Sequence, residues 1–212
     1  LPMRDLQKRL DFARNSHPES TTLGDFRADE WLVEAEMKAL RYARKIITPH
    51  SEIASLFPEK AVLLDWKIPT VQSPKSKVQD PKPTILFPAS TVGRKGVYAL
   101  REAIQGLDIK LLLLGSIIEK EDFWQGFDIE KTTLDEGLKK ADLVVLPAFV
   151  EHKPRPLLKA AAMGIPVIAS KACGVENVAG IKSIEFDALT LRNEILNNLK
   201  INERVSAKYE TV

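Results

Sequence analysis

Cysteine is almost absent from this sequence. Cys173 is the only one in 212 residues, which excludes an intrachain disulfide and any multi-cysteine metal site and fits a reducing, cytoplasmic compartment. A charge surplus is missing too: 31 Lys and Arg against 29 Asp and Glu leave +2, too little to point to nucleic acid or to a membrane surface. Long apolar runs are lacking, since the longest, Leu111 to Leu114, cannot span a bilayer. Any membrane association is therefore expected only through parts outside this sequence. The chain opens on Leu1 rather than Met and has no apolar signal region, so it is expected to begin inside a longer protein. Histidines at ligand spacing are missing as well. His152 beside Glu151 thus reads as a surface or hydrogen-bonded residue rather than a metal ligand, and no metal site is expected.

What is present is enough apolar sequence, 44%, for one large domain or one domain and part of another. Residues 1–14 read as a basic helix, broken by His17-Pro18 and Gly24. A second helix follows, with Val33, Met37, Leu40 and Ala43 at helical spacing and Asp29 and Glu30 at its amino end, where the helix dipole favours acids. Ile46-Ile47-Thr48 and Ala61 to Leu64 read as short strands around a helix that Ser51 can cap. These pieces look like the tail of an α/β domain, spanning 1–68. From 69 to 83 periodicity stops and prolines mix with Lys75, Lys77 and Asp80, as in a linker.

A regular alternation then runs from 84 to 200. Strands are expected at Thr84–Phe87, Ile109–Leu114, Leu143–Leu146, Pro166–Ala169 and Ile181–Phe186. Helices are expected at Arg94–Gln105, Thr133–Lys140, Arg155–Met163 and Ala188–Leu199, before a polar tail from 201 to 212. Near-continuous apolar strands joined through helices imply a Rossmann-like α/β fold, a parallel sheet with helices on both faces. Ligands of such sheets sit beyond the carboxyl ends of the strands, so the loops there are where chemistry belongs.

Those loops hold cations. After the first strand, Ser90, Arg94, Lys95 and two glycines precede a helix; backbone amides at a helix start with a nearby lysine suit a phosphate. The spacing is neither a Walker loop nor G-x-G-x-x-G, and solvated loop cations are the plain alternative. Gly115 after the second strand either admits a ligand close to the backbone or simply turns. The third strand leads to Glu151, Lys153 and Arg155, with Lys159 one turn on; the fourth leads to Lys171, Cys173 and Gly174. Cations on one edge fit a diphosphate. Cys173 reads as a small buried residue, Asp142 as a strand opener, and Trp124 and Phe127 either cap the core or face a ligand.

Four stretches carry a family resemblance: Ile85-Leu86-Phe87 with Arg94-Lys95-Gly96-Val97, Leu111–Gly115, Ala141–Pro147, and Glu151–Ser170. In order and spacing they resemble the carboxyl-terminal half of the GT-B retaining glycosyltransferases known as glycosyl transferases group 1. Arg27–Arg44 with Ile46–His50 is similar to the end of that family's amino-terminal domain. The resemblance implies a nucleotide-diphosphate-sugar donor held by residues 84–200, no cofactor, and an acceptor, glycan or small molecule, that it does not identify. It places Lys95 on the donor diphosphate and Glu151, first glutamate of the E-x7-E motif, near the donor sugar as the candidate catalytic carboxylate. Two residues depart from the pattern. Ser90 stands at the family arginine, and Lys159 stands at the second glutamate, where a donor-only ammonium replaces an acceptor of ribose hydroxyls. Arg94 or Arg155 is a candidate to compensate for Ser90, and Gly174 keeps a family glycine beside Cys173. A retired GT-B-derived binding subunit is the alternative that these departures raise.

Overall fold

The computed structural model describes residues 2–71, 81–185 and 187–201. Most of the expected linker, residues 72–80, falls outside them, as do Phe186 and residues 202–212 of the tail.

The amino-side part opens with α1 (Met3–Ser16) and α2 (Glu30–Tyr42), then β1 (Ile46–Thr48), α3 (Ser51–Leu56) and β2 (Ala61–Leu63). The two strands pair in parallel with Ile47 opposite Val62. Both of those side chains are exposed, as are Trp31 and Leu32 of α2, although parallel sheets are ordinarily covered on both faces. The helical spacing in α2 is real, but only Val33 of its apolar positions is fully buried. α1 does better: Leu6, Leu10 and Ala13 form a cluster with Leu23 and Val150, which lays this helix against a loop of the larger sheet.

That sheet has six parallel strands in the order β5-β4-β3-β6-β7-β8. They are β3 (Thr84–Phe87), β4 (Lys110–Leu114), β5 (Ile129–Thr132), β6 (Leu143–Leu146), β7 (Val167–Ser170) and β8 (Ile181–Ile184), interleaved with α4 (Val97–Ile104), α5 (Leu134–Lys140), α6 (Arg155–Ala162) and α7 (Ala188–Leu199). Every residue of β3, β6 and β7 is buried, which is why these runs are apolar throughout rather than alternating. α4 and α7 pack together, α7 also reaching β6 and β7; right-handed crossovers put α5 and α6 on the other face. Asp142 opens β6 and accepts the Thr84 N–H at 2.8 Å, tying the starts of the two central strands.

Three expectations need correction. β5 was not anticipated, because at the sheet's edge it is only half buried and carries Glu130 and Lys131 in its middle. The helix expected from Arg94 starts later: Gly93–Lys95 is a 3-10 turn, Gly96 turns left-handed at φ +77°, and α4 begins at Val97. α3 is capped by His50 rather than Ser51, its Nδ1 accepting the Ile53 N–H at 3.4 Å. No described helix is long and apolar enough to cross a membrane.

Candidate functional site

The chain leaves the centre of the sheet in both directions from β3. It runs outward through β4 and β5, then returns to β6 on the other side of β3 and continues to β7 and β8. β3 and β6 therefore flank the topological switch, where crevices open at the carboxyl ends of strands. The two loops that border it are residues 88–96 and 147–154.

Lys95 joins them. Its Nζ donates to Glu151 Oε2 at 2.9 Å and to the Val150 carbonyl at 3.0 Å, and both side chains are 17% exposed. Glu151 Oε1 accepts the Lys153 N–H at 2.8 Å. Burial alone would raise the Glu151 pKa, but the Lys95 charge and the Lys153 N–H outweigh it and hold the carboxyl below its usual range. An ammonium has three protons to give. Two are used here.

A second set of bonds comes from the amino-side part. His50, buried at the end of β1, places Nε2 3.0 Å from the Glu151 carbonyl. Since Nδ1 accepts the Ile53 N–H, the ring is neutral with its proton on Nε2, the atom that donates to Glu151. Burial, against the opposing pull of the Glu151 carbonyl, lowers the His50 pKa. The imidazole lies on Gly174, where a β-carbon would fall 2.1 Å from Nδ1. Gly174 is left-handed at φ +62°, and its carbonyl accepts the Trp66 Nε1–H at 2.9 Å and the Ser51 N–H at 3.2 Å. Glu151 N–H in turn donates to Ala172 at 3.3 Å, so the loops after β6 and β7 are linked to each other and to His50.

The other sequence-derived candidates are distributed less simply. Ser90 packs on Gly115, which is left-handed at φ +91° and where a β-carbon would come 2.6 Å from Ser90 Oγ. The missing side chain at Gly115 thus accommodates Ser90. Arg94 sits beside Lys95 but carries its guanidinium 5.6 Å over the Phe26 ring. Arg155 opens α6 and is exposed. Lys159 does not reach Glu151: its ammonium pairs with Asp135 at the first turn of α5, and both are substantially exposed. Cys173 is fully buried, which pushes its thiol up to about 12. Trp124 is buried and donates to Thr91 Oγ1 at 2.9 Å, so it belongs to the core. Among the described residues no three His, Cys, Asp or Glu side chains cluster as a metal site would.

Two contributors escaped sequence reasoning. His50 reads in the sequence only as the end of a strand, and Glu119 has no place among the candidates. Glu119 is 4% exposed and accepts from Ser20, Thr21, Thr22, Tyr98 and the Gly93 N–H. It fastens residues 20–22 to the turn that carries Lys95. Burial would raise its pKa, and the hydroxyl and N–H donors, Thr22 foremost, bring it below the ordinary value. The sequence signal was the run Ser20-Thr21-Thr22, a dense set of donors with no visible acceptor.

A family model described as glycosyl transferases group 1 matches residues 70–183. No curated protein matches the chain. Among solved structures it is similar to sucrose-phosphate synthase from Thermosynechococcus elongatus, with a TM-score of 0.60 and 21% identity over 82% of this chain and 53% of that one. WaaG, a glycosyltransferase involved in lipopolysaccharide biosynthesis, gives 0.58 and 18% over 82% and 61%. HepE from Anabaena, solved with UDP and glucose, gives 0.55 and 13% over 81% and 58%. At these identities the likeness is one of fold, the GT-B arrangement, and the chain spans somewhat over half the length of these three structures.

Proposed function

This chain belongs to the glycosyl transferases group 1 family, and on that premise we propose that it carries the donor side of a retaining, metal-independent glycosyltransferase using a nucleoside-diphosphate sugar. The observation that carries the reading is the Lys95–Glu151 pair at the switch between β3 and β6. Lys95 keeps one proton for the diphosphate, where it offsets the negative charge that grows on the leaving group as the glycosidic bond breaks. Glu151 spends one oxygen on Lys95 and one on the Lys153 N–H, and each oxygen retains a lone pair for a sugar hydroxyl or a developing oxocarbenium. No cofactor enters this scheme. The bound UDP and glucose of the HepE structure support the choice of ligand class, while base, sugar and acceptor stay open.

The test is calorimetric titration with UDP, ADP and GDP against the matching monophosphates. A diphosphate should bind more tightly than its monophosphate, and Lys95→Ala should remove about 1–3 kcal/mol of that binding. Equal affinity, or no binding of any of these nucleotides, overturns the donor-site reading. We further propose that the chain by itself transfers no sugar, because a donor site open to water at most hydrolyses its sugar nucleotide slowly. Robust transfer to a defined acceptor would refute that.

A second reading, a retired GT-B-derived binding or partner subunit, is favoured by one observation: Lys159 pairs with Asp135 instead of facing Glu151. Donor turnover by the full-length protein that is lost in Glu151→Ala decides for the enzyme; absence of turnover with diphosphate binding intact decides for the binding subunit.

A further inference from the structure

We propose that His50 is a positioning residue for Glu151, so that the donor loop is held in its working geometry by the amino-side part of the chain. The inference rests on reading Glu151 as a donor-site residue and adds what sets it in place.

Three features of the geometry lead there. First, the Glu151 carbonyl has the His50 Nε2–H at 3.0 Å, while the preceding carbonyl, Val150, takes Lys95 at 3.0 Å. Adjacent carbonyls are thus gripped from opposite loops, which fixes the peptide from which the Glu151 side chain projects. Second, His50 is not free to turn. Its ring is buried against Gly174, and its other nitrogen is engaged by the Ile53 N–H, so the proton is confined to the nitrogen that faces Glu151. Third, the neighbouring bonds run the same way: Ser51 N–H and Trp66 Nε1–H both end on the Gly174 carbonyl. The strand end, the start of α3 and the segment after β2 converge on the loops after β6 and β7. A residue that only capped α3 would need no contact with Glu151, and one that only filled space would need no fixed tautomer.

Two substitutions separate these roles. Asparagine places its carbonyl oxygen about where Nδ1 lies, so His50→Asn keeps the cap on Ile53 and gives up the bond to Glu151. Glutamine reaches to the place of Nε2, so His50→Gln keeps the bond to Glu151 and gives up the cap. The measurement is the NMR titration of the Glu151 side-chain carboxyl in the full chain, which reports its distance from Lys95 and needs no nucleotide. His50→Asn should raise the Glu151 pKa by about half a unit or more, and His50→Gln should leave it near the wild-type value. No change in His50→Asn, a change confined to His50→Gln, or equal changes in both variants overturns the proposal. UDP and ADP titrated into the same three proteins address the donor reading separately. Wild type that binds neither refutes that reading while the carboxyl titration still decides the role of His50. Where wild type binds, His50→Asn should weaken binding about fivefold, with His50→Gln restoring it.

Discussion

Glu119 offers the most demanding test of how the site is held. Its carboxylate takes six hydrogen bonds, from Ser20 Oγ, the Thr21 N–H and Oγ1, Thr22 Oγ1, the Gly93 N–H and Tyr98 OH. A bond to a charged acceptor contributes roughly 1.5–3 kcal/mol, and a buried donor left without one costs roughly 1–3 kcal/mol. In Glu119→Ala the hydroxyls can rotate to other acceptors, and Gly93 N–H retains Thr22 Oγ1 at 2.7 Å. The Thr21 N–H has no such second acceptor. We therefore expect a loss of about 3 kcal/mol rather than the sum of six bonds. Glu119→Gln should lose about half as much, because one carbonyl oxygen survives while the new amide donates toward donors. Urea denaturation at neutral pH, followed through Trp fluorescence, measures both. The pH dependence has a definite sign. The folded pKa lies below the ordinary 4.5, so the unfolded chain binds the proton more readily; the stabilisation is complete above 4.5 and disappears as pH falls through the folded value. Glu119→Gln should flatten that acid limb. A wild-type-like midpoint for Glu119→Ala, within about 0.5 kcal/mol, would refute the assignment of Glu119 as the fastening of residues 20–22.

Two further outcomes follow from the same geometry. Gly174→Ala must place a β-carbon inside the His50 ring at a left-handed φ of +62°, so it should destabilise the protein by about 2–4 kcal/mol, and a urea midpoint equal to wild type would contradict the contact. Lys159→Glu sets two carboxylates side by side, so the Asp135 carboxyl, now held below its usual range first by the hydrogen bond from Lys159, should titrate higher by NMR; an unchanged Asp135 titration would show that the pair does not persist in solution.

The larger sheet was legible in the sequence because its central strands are buried on both faces. Thr84–Phe87, Leu143–Leu146 and Val167–Ser170 have no solvent face to write into the pattern, so each appears as an unbroken apolar run. β5 escaped for the opposite reason: at the edge, Lys131 meets water and Glu130 pairs with Lys140 rather than with a core, and only the β-branched Ile129 and Thr132 marked it. The start of α4 was misplaced because Gly96 permits the left-handed turn that separates the Lys95 turn from the helix, a conformation that a count of helical spacing does not register.

The site divides along the same physical line. Lys95 and Glu151 were legible because each lies in a loop whose position follows from the strand before it, and strand order brings those two loops to one crevice. Lys159 is expected near the same crevice from its place one turn after Arg155 and from its match to the second position of the E-x7-E motif. Four residues after Arg155 on one helix face, it has α5 as its neighbour and pairs there with Asp135. His50 and Glu119 are a harder class: each bonds across about a hundred positions, His50 to Glu151 and Glu119 to residues 20–22, so nothing local marks that role. What identifies them is that a buried polar side chain must have its hydrogen bonds satisfied. Tracing those bonds shows that residues 20–22 bind to the segments after β3 and β4, and that residues 50–66 bind to the loops after β6 and β7. These loops are thus held from outside their own sheet, and a change in the amino-side part of the chain should register at Glu151 before it registers in the core.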